Sequence, residues 1–327
     1  MRKRNIHEAP DIPFRPPYPK VHVLVLSYNG KHLLDDCLSS YLENDYPNFQ
    51  VVVIDNGSDD GTCEYVRENY PHVRIRRTEK NLGYSGGFNL GLSYAFEENH
   101  ADYVLITNND VRADRRVITE LVRVAETDPE IGFVTGKVYY DGKPDVLQTV
   151  GKSEDPIRWN GRHIGRGERD RGQYDEIREL SFGDDIFTLV RGEMYRRIGG
   201  YNPLFFLQAE EYDWQARAKK AGYRILYTPH AKIWHKESMT IGKFSPLKAY
   251  YDARNPMLVI LLHQPPDFFR RYFWVHFCVD ILRGSLGSLR RRELMVAFKK
   301  WQGLISALLW GAKNRKYTWR HFIPCRA

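Results

Sequence analysis

Residues 103–111 read YVLITNNDV. Tyr103 to Thr107 form a short apolar run that predicts a buried strand, yet it leads straight into Asn108, Asn109 and Asp110. Polar side chains at the end of a buried strand are unfavourable unless a partner satisfies them. Two explanations fit. Asn and Asp are turn formers, and for the tripeptide alone a turn is the simpler reading. The other is a carboxylate at the C-terminal edge of a parallel sheet, placed to hold a metal and a phosphate.

The surrounding pattern favours a parallel sheet. VHVLVLS (21–27) and QVVVIDN (50–56) are continuous apolar runs, as expected for strands buried on both faces. Helical spacing in KHLLDDCLSSYLEN, TCEYVRENY and FNLGLSYAFEEN predicts helices between strands, and either Asp59 or Asp60 can cap the second of them. VRIRRT is a weaker strand. Alternation of this kind from Val21 to about Val138 implies an α/β fold with a doubly wound, mostly parallel, Rossmann-like sheet. Residues 141–183 turn polar and predict either a disordered insert or a loop covering substrate. GEMYRRIGGYNP and EYDWQARAKKAGY read as helices stopped by glycine, and RILYTP and AKIWH as two short strands.

Ligands of open α/β sheets bind beyond the C-terminal ends of the strands. The first strand ends in Ser27, Tyr28 and Asn29, and the second in Asp55, Asn56, Gly57 and Ser58. With Asn108, Asn109 and Asp110, three polar strand ends outline one crevice. NLGYSGGFNLG (81–91) supplies glycines, Gly83 and Gly87 among them, that allow close backbone approach at the start of a helix, whose amino end favours phosphate. The segment is neither GxGxxG at the first strand turn nor GxxxxGK[ST], which argues against a nicotinamide dinucleotide and excludes a P-loop.

Composition sets further bounds. The chain has 327 residues, 42% hydrophobic, with a net charge of +8 and a pI near 9.1. A basic balance suits anionic partners. Cys37, Cys63, Cys278 and Cys325 give neither a metal-ligand pair nor a disulfide framework, so a reducing compartment is expected. Residues 1–20 are a basic, proline-rich lead-in (Arg2, Lys3 and Arg4 open it) without a signal-peptide core, and no run reaches the roughly 18 apolar residues of a membrane span. After about Ser245, YFWVHFCVDIL and LISALLW alternate with arginine clusters (Arg270 and Arg271, then Arg290, Arg291 and Arg292). They predict either a helical cap on the core or helices lying in a membrane interface.

VLVLSYNG, VVVIDNGSDDGT, NLGYSGGFNLGL, LITNNDV, the stretch from Ile198 to Ser238, and SPLKAYYDARN occur in that order. Together they resemble the family 2 glycosyltransferases of GT-A fold, in particular rhamnosyltransferases of cell-surface polysaccharide assembly, from about Val21 to Asn255. The resemblance implies a nucleotide-diphosphate sugar donor, either dTDP-rhamnose-like or a UDP-sugar, and an inverting, metal-dependent transfer. Ser27, Tyr28 and Asn29 match the turn that grips the nucleotide, and Asp55 the residue that reads base or ribose. Asn56, Ser58, Gly83, Gly87 and Asn89 are expected alongside them in the donor site. Asn108, Asn109 and Asp110 stand at the family's DxD motif, so Asp110 carries most of the role of binding Mg²⁺ or Mn²⁺, and His235 matches a late histidine that completes the metal shell. Glu210, Glu211 and Asp213, at the start of a helix, are the candidates for the base. The family's ED pair places Glu211 first, with Asp213 second, and the chain has Glu where the pattern has Asp.

The expected organisation is a lead-in (1–20), a catalytic domain (21–245) with a donor half to about 138 and an acceptor half from about 139, and a helical extension (246–327). The implied acceptor is a glycan or a polyprenyl-linked sugar. The implied location is cytoplasmic, with peripheral contact at the inner face of the membrane, and a homodimer is compatible. A nucleotidyltransferase would want a basic, glycine-rich loop at SYNGKHLLDD, which is lacking. A nucleic-acid binder would want basic residues interleaved with aromatics on one face, whereas the basic clusters fall mostly outside the crevice.

Overall fold

The apolar run at Val21–Ser27 becomes β1, whose backbone sits inside the main sheet with nearly every side chain buried. The computed structural model describes residues 17–236 and 245–314. Residues 1–16 of the lead-in, Glu237, Ser238 and Cys325 lie outside the described residues. Parallel to β1 run β2 (Phe49–Asp55) on one side and β4 (Tyr103–Asn108) on the other, with β3 (Arg74–Arg77) beyond β2. The chain reverses its direction of travel across the sheet between β1 and β4, which opens a crevice at their C-terminal ends.

The burial of β1, β2 and β4 follows from period-two alternation with both faces covered. Val23, Val53 and Leu105 pack on one side with Leu34, Leu38 and Leu121, from α1 (Leu34–Leu42) and α4 (Val117–Ala125). Leu24, Ile54 and Ile106 pack on the other with Phe88, Met194 and Trp214. These come from α3 (Gly83–Ser93), α5 (Gly192–Ile198) and α6 (Glu210–Lys220). Each fully buried aliphatic or aromatic side chain contributes about 1.5–3 kcal/mol. Between β2 and β3, α2 (Thr62–Asn69) has Gly61 rather than Asp59 or Asp60 as its N-cap, while Asp60, one residue earlier, accepts from the Thr62 amide at 3.1 Å.

Several elements differ from the sequence expectation. The stretch 141–183 holds short strands joined by turns rather than a loop alone. β6 (Ile131–Tyr140) pairs antiparallel with β7 (Lys143–Thr149), while β8 (Lys152–Asp155) and β9 (Trp159–His163) form a separate two-stranded sheet. Its polar composition concealed the buried Leu147, Val150 and Trp159 that fix it to the core. RILYTP and AKIWH form one strand, β12 (Arg224–His235), which pairs with β6 with register shifts after Arg224 and between Tyr227 and Lys232. The short β10 (Arg178–Glu179) edges β12, and β11 (Phe187–Arg191) inserts antiparallel between β4 and β6. The order is β10-β12-β6-β11-β4-β1-β2-β3, with β5 (Val111–Ala113) also paired to β12. All but β10 and β11 on that path run in one direction, so the sheet is mostly parallel, as expected for a GT-A fold.

Beyond Ser245, whose hydroxyl caps α7 (Pro246–His263) by accepting from the Lys248 amide at 3.1 Å, the described chain is helical. α8 (Pro266–Val275), a π-helical stretch His276–Arg283, α9 (Gly284–Arg290) and α10 (Leu294–Lys313) follow. Met257, Leu258, Tyr272, Ile281 and Leu304 of these helices join Phe182, Phe205 and Tyr212 in a third core cluster.

Candidate active site

The three polar strand ends meet. Asn109 Nδ2 donates to Ser27 Oγ at 3.2 Å, the Asn29 amide donates to Ser58 Oγ at 2.9 Å, and Asn29 Oδ1 accepts from the Asp59 amide at 2.8 Å. Asn29 holds a left-handed φ of 50°, which Asn tolerates better than most residues. Tyr28 is exposed beside them, and half-buried Asn108 donates its amide to the Ile186 carbonyl.

Other residues expected in the donor site have structural partners. Asp55 has no exposed surface. Its Oδ1 accepts from the Ser58 amide at 3.0 Å, and its Oδ2 lies 2.9 Å from Cys63 Sγ and 3.5 Å from an Arg77 nitrogen, so it holds the 55–62 turn. Asn56 ties that turn to the next, donating to the Gly83 carbonyl and accepting from the Leu82 amide. Gly83 needs its freedom for protein packing: φ is +75°, and a Cβ would lie 2.2 Å from the Phe206 carbonyl oxygen. A Cβ at Gly87 would lie 2.5 Å from Leu26 Cδ1, so this glycine seats α3 on the sheet. Asn89 both donates to and accepts from the Tyr201 backbone.

Asp110 and His235 do come together. The antiparallel pairing of β5 with β12 sets His235 opposite Val111, and His235 Nε2 lies 3.1 Å from Asp110 Oδ1 with both residues buried. His235 Nδ1 is 2.9 Å from Gln148 Oε1 of β7. A ring that donates Nδ1–H to this amide oxygen presents Nε2 to the Asp110 carboxylate. Two acceptors this close repel unless a proton or a cation lies between them. Oxygen and imidazole donors with an outer hydrogen-bond partner suit a divalent cation, so these residues fit the metal that the resemblance implies.

A second cluster lies at the start of α6. Gln208 and Ala209 carry φ of 70° and 69°, a strained pair for non-glycine residues, and buried Asn255 of α7 holds the turn by donating to the carbonyls of Leu207 and Gln208. The turn presents Glu210 and Glu211, whose carboxylate oxygens lie within 4.8 Å of each other and of Asp185. Burial first, then the neighbouring Glu211 carboxylate, pushes both Glu210 and Asp185 well above the ordinary carboxylate range. Lys152 Nζ, from β8, reaches Glu211 Oε1 at 3.1 Å and stands 3.9 Å from Asp184 Oδ2, which His163 Nδ1 also approaches at 3.0 Å. Burial alone would lower the Lys152 ammonium, but Asp184, Tyr212 and Glu211 outweigh it and keep Lys152 charged. Lys152 therefore already supplies the positive charge of this cluster. Lys152, Asp184 and Asp185 were not among the sequence candidates; their only signal was an acidic dipeptide just ahead of FTLVR.

Asp213 faces elsewhere. Arg217 Nε donates to it at 2.8 Å and His263 Nε2 lies 2.9 Å away, while His263 Nδ1 faces Lys220 Nζ at 3.1 Å. Burial lowers His263, so the ring is neutral, donating to Asp213 and accepting from Lys220. Burial alone would raise Asp213; Arg217 and His263 override it and hold the carboxyl far below its usual range. Asp213 thus fastens α6 to α7.

The description of glycosyl transferase family 2 matches residues 22–199. The N-acetylglucosaminyl-diphospho-decaprenol L-rhamnosyltransferase of Mycobacterium tuberculosis (strain ATCC 25618 / H37Rv) is 27% identical over 241 residues, covering 68% of this chain and 77% of that protein. The poly-beta-1,6-N-acetyl-D-glucosamine synthase of Staphylococcus aureus (strain N315) is 25% identical over 222 residues, covering 67% of this chain and 50% of that protein. Among solved structures, the mannosyltransferase PcManGT from Pyrobaculum calidifontis, in complex with GDP-Man and Mn²⁺, aligns with a TM-score of 0.53 at 19% identity over 93% of this chain and 78% of that one. GalNAc-T7 with UDP, GalNAc and Mn²⁺ aligns with a TM-score of 0.60 at 15% identity, over 91% of this chain and 57% of that one. These two likenesses concern the fold. The family match spans more than half of the chain, which belongs to glycosyl transferase family 2 and is a glycosyltransferase of GT-A fold.

Proposed function

We propose that this glycosyltransferase moves a sugar, with inversion, from a nucleotide-diphosphate donor of the dTDP-rhamnose or UDP-sugar class to a glycan or polyprenyl-linked acceptor, in cell-surface polysaccharide biosynthesis. It works in the cytoplasm at the inner face of the membrane. The observation that carries this reading is the pairing of two sites at one sheet edge: Asp110 with His235, and Glu211 with Lys152. The rhamnosyltransferase relative supports the sugar and the acceptor class.

Ser27, Tyr28, Asn29, Ser58 and Asn109 form the turn framework on which the nucleotide rests. Asp110 and His235 would hold Mg²⁺ or Mn²⁺, which supplies positive charge to the leaving diphosphate. Glu211 accepts the proton of the acceptor hydroxyl while that oxygen bonds to the anomeric carbon. The bond from that carbon to phosphate oxygen breaks, and the nucleoside diphosphate leaves on the opposite face. Burial and the neighbouring carboxylates favour the neutral forms of Asp185 and Glu210, and Lys152 stands beside Glu211 as counter-charge. Asp213 is already engaged by Arg217 and His263, which favours Glu211 as the base.

The donor class is tested by a panel of nucleotide sugars, each scored for protection against thermal unfolding with and without Mn²⁺, and for slow donor hydrolysis. One nucleotide should stabilise the protein only when the cation is present; protection by none of the panel removes the reading. A second expected outcome concerns Lys152. Lys152→Met should lower kcat by about tenfold or more, because a buried carboxylate loses its counter-charge. Lys152→Arg, which keeps the charge, should restore most of the loss, and the donor KM should barely move. Equal defects in both variants would assign Lys152 to packing alone.

A further inference from the structure

The helices after Ser245 leave uncovered what a water-soluble monomer ordinarily buries. Among the described residues, eleven of the sixteen exposed large hydrophobic side chains fall between Trp274 and Leu309. Trp274, Leu286, Leu294, Phe298, Ile305 and Leu309 each expose more than half of their surface. Leu294, Phe298, Ile305 and Leu309 share one face of α10 at helical spacing. Its opposite face, with Val296, Ala297, Leu304 and Ala307, is buried. α10 therefore has two apolar faces, and only one of them has a partner within the described residues. An unpartnered apolar face of this kind among the described residues marks an interaction surface.

Charge identifies the occupant. Residues 266–313 hold nine Lys and Arg against three Asp and Glu. Arg270, Arg271, Arg283, Arg290, Arg291 and Arg292 are all exposed. Of the acidic residues, Asp280 is engaged by Arg158 at 2.6 Å and Glu293 by Arg291 at 3.0 Å. Two copies meeting through this face would oppose like charges, and a nucleic acid has no use for the apolar row. No helix of the described residues is long and apolar enough to cross a membrane. We propose that this face lies flat on an anionic bilayer, with Trp274, Phe298 and their apolar neighbours at the acyl boundary and the arginines among the lipid phosphates.

The docking face and the catalytic cluster are mechanically continuous. His263 of α7 bonds Asp213 of α6, two residues after Glu211, and Asp280 bonds Arg158 in the turn between β8 and β9, the sheet that delivers Lys152. Docking therefore fixes the attitude of Glu211 to the lipid surface. This deepens the reading of a polyprenyl-linked acceptor, but vesicle binding needs neither donor nor acceptor, so the two can fail separately.

The experiment is co-sedimentation of the full chain, without substrates, with vesicles of phosphatidylglycerol and phosphatidylcholine or of phosphatidylcholine alone. Binding should be strong to the anionic vesicles at low salt, weaker in high salt and weak to the neutral ones. Reversing Arg290, Arg291 and Arg292 to Glu should weaken it at least about tenfold. Phe298→Ser with Ile305→Ser, both at exposed positions and checked for an unchanged melting temperature, should weaken it at every salt concentration. A chain that stays in the supernatant with anionic vesicles at low salt overturns the proposal. So does one whose serine variant sediments like the wild type, or a salt-resistant dimer that Phe298→Ser dissociates while vesicles are ignored.

Discussion

Asp110→Ala should reduce kcat/KM for transfer by about 10²–10³-fold, the range for losing one preorganised charge-stabilising group, and added Mg²⁺ or Mn²⁺ should not restore it. The family motif has acidic residues at both ends of its three positions, whereas Asn108, Asn109 and Asp110 offer one carboxylate. Asn109 is already turned to Ser27, which leaves Asp110 and His235 as the paired donors. Folding should survive. Asp110 sits beyond the end of β4, so its loss removes no strand pairing of β4 and no apolar core side chain. His235→Ala should weaken cation-dependent protection by nucleotide without abolishing it, since the carboxylate remains. Two results would end this account: full wild-type activity in EDTA, or an Asp110→Ala variant whose nucleotide protection still depends on the cation as the wild type's does.

The sequence exposed the donor edge of the site better than the acceptor edge, and for a physical reason. Strands buried on both faces read as continuous apolar runs, so β1, β2 and β4 and their polar ends were visible, and three such ends implied a crevice. What the pattern could not show was side-chain direction. Asp55 has the right place for a ligand-binding carboxylate, but the Ser58 amide and Cys63, both within eight residues, capture it. Gly83 and Gly87 have the flexibility of a phosphate loop but lie against Phe206 and Leu26. The acceptor edge depends on long-range antiparallel pairing that no local period encodes. Lys152 reaches Glu211 from a sheet hidden in a polar segment, and Asp185 precedes a five-residue strand inserted between β4 and β6. His235 was marked by family resemblance alone; only the pairing of β5 with β12 explains why it meets Asp110.

Glu211→Gln should lower kcat by about 100-fold or more while donor binding stays nearly unchanged. Glutamine keeps the size of the side chain and can still face Lys152, but it cannot take a proton from the acceptor hydroxyl. Three carboxyl groups lie together here, and two of them, Glu210 and Asp185, are pushed above the ordinary carboxylate range by burial and by the Glu211 charge. Neutralising Glu211 relieves both, so one of the two regains its charge more readily, and residual activity through that neighbour should rise with pH. Asp213→Asn provides the control. Arg217 and His263 hold Asp213 below its ordinary value near 3.8 against the upward push of burial, so its contribution to stability is fully present above about pH 4 and fades as acid protonates it. The asparagine variant should therefore melt earlier than wild type at pH 7, the gap should narrow in acid, and the surviving folded fraction should turn over at close to the normal rate. If Asp213→Asn instead loses turnover at an unchanged melting temperature while Glu211→Gln transfers sugar normally, the base is Asp213, and the Lys152 pair at Glu211 is an ion pair of the fold.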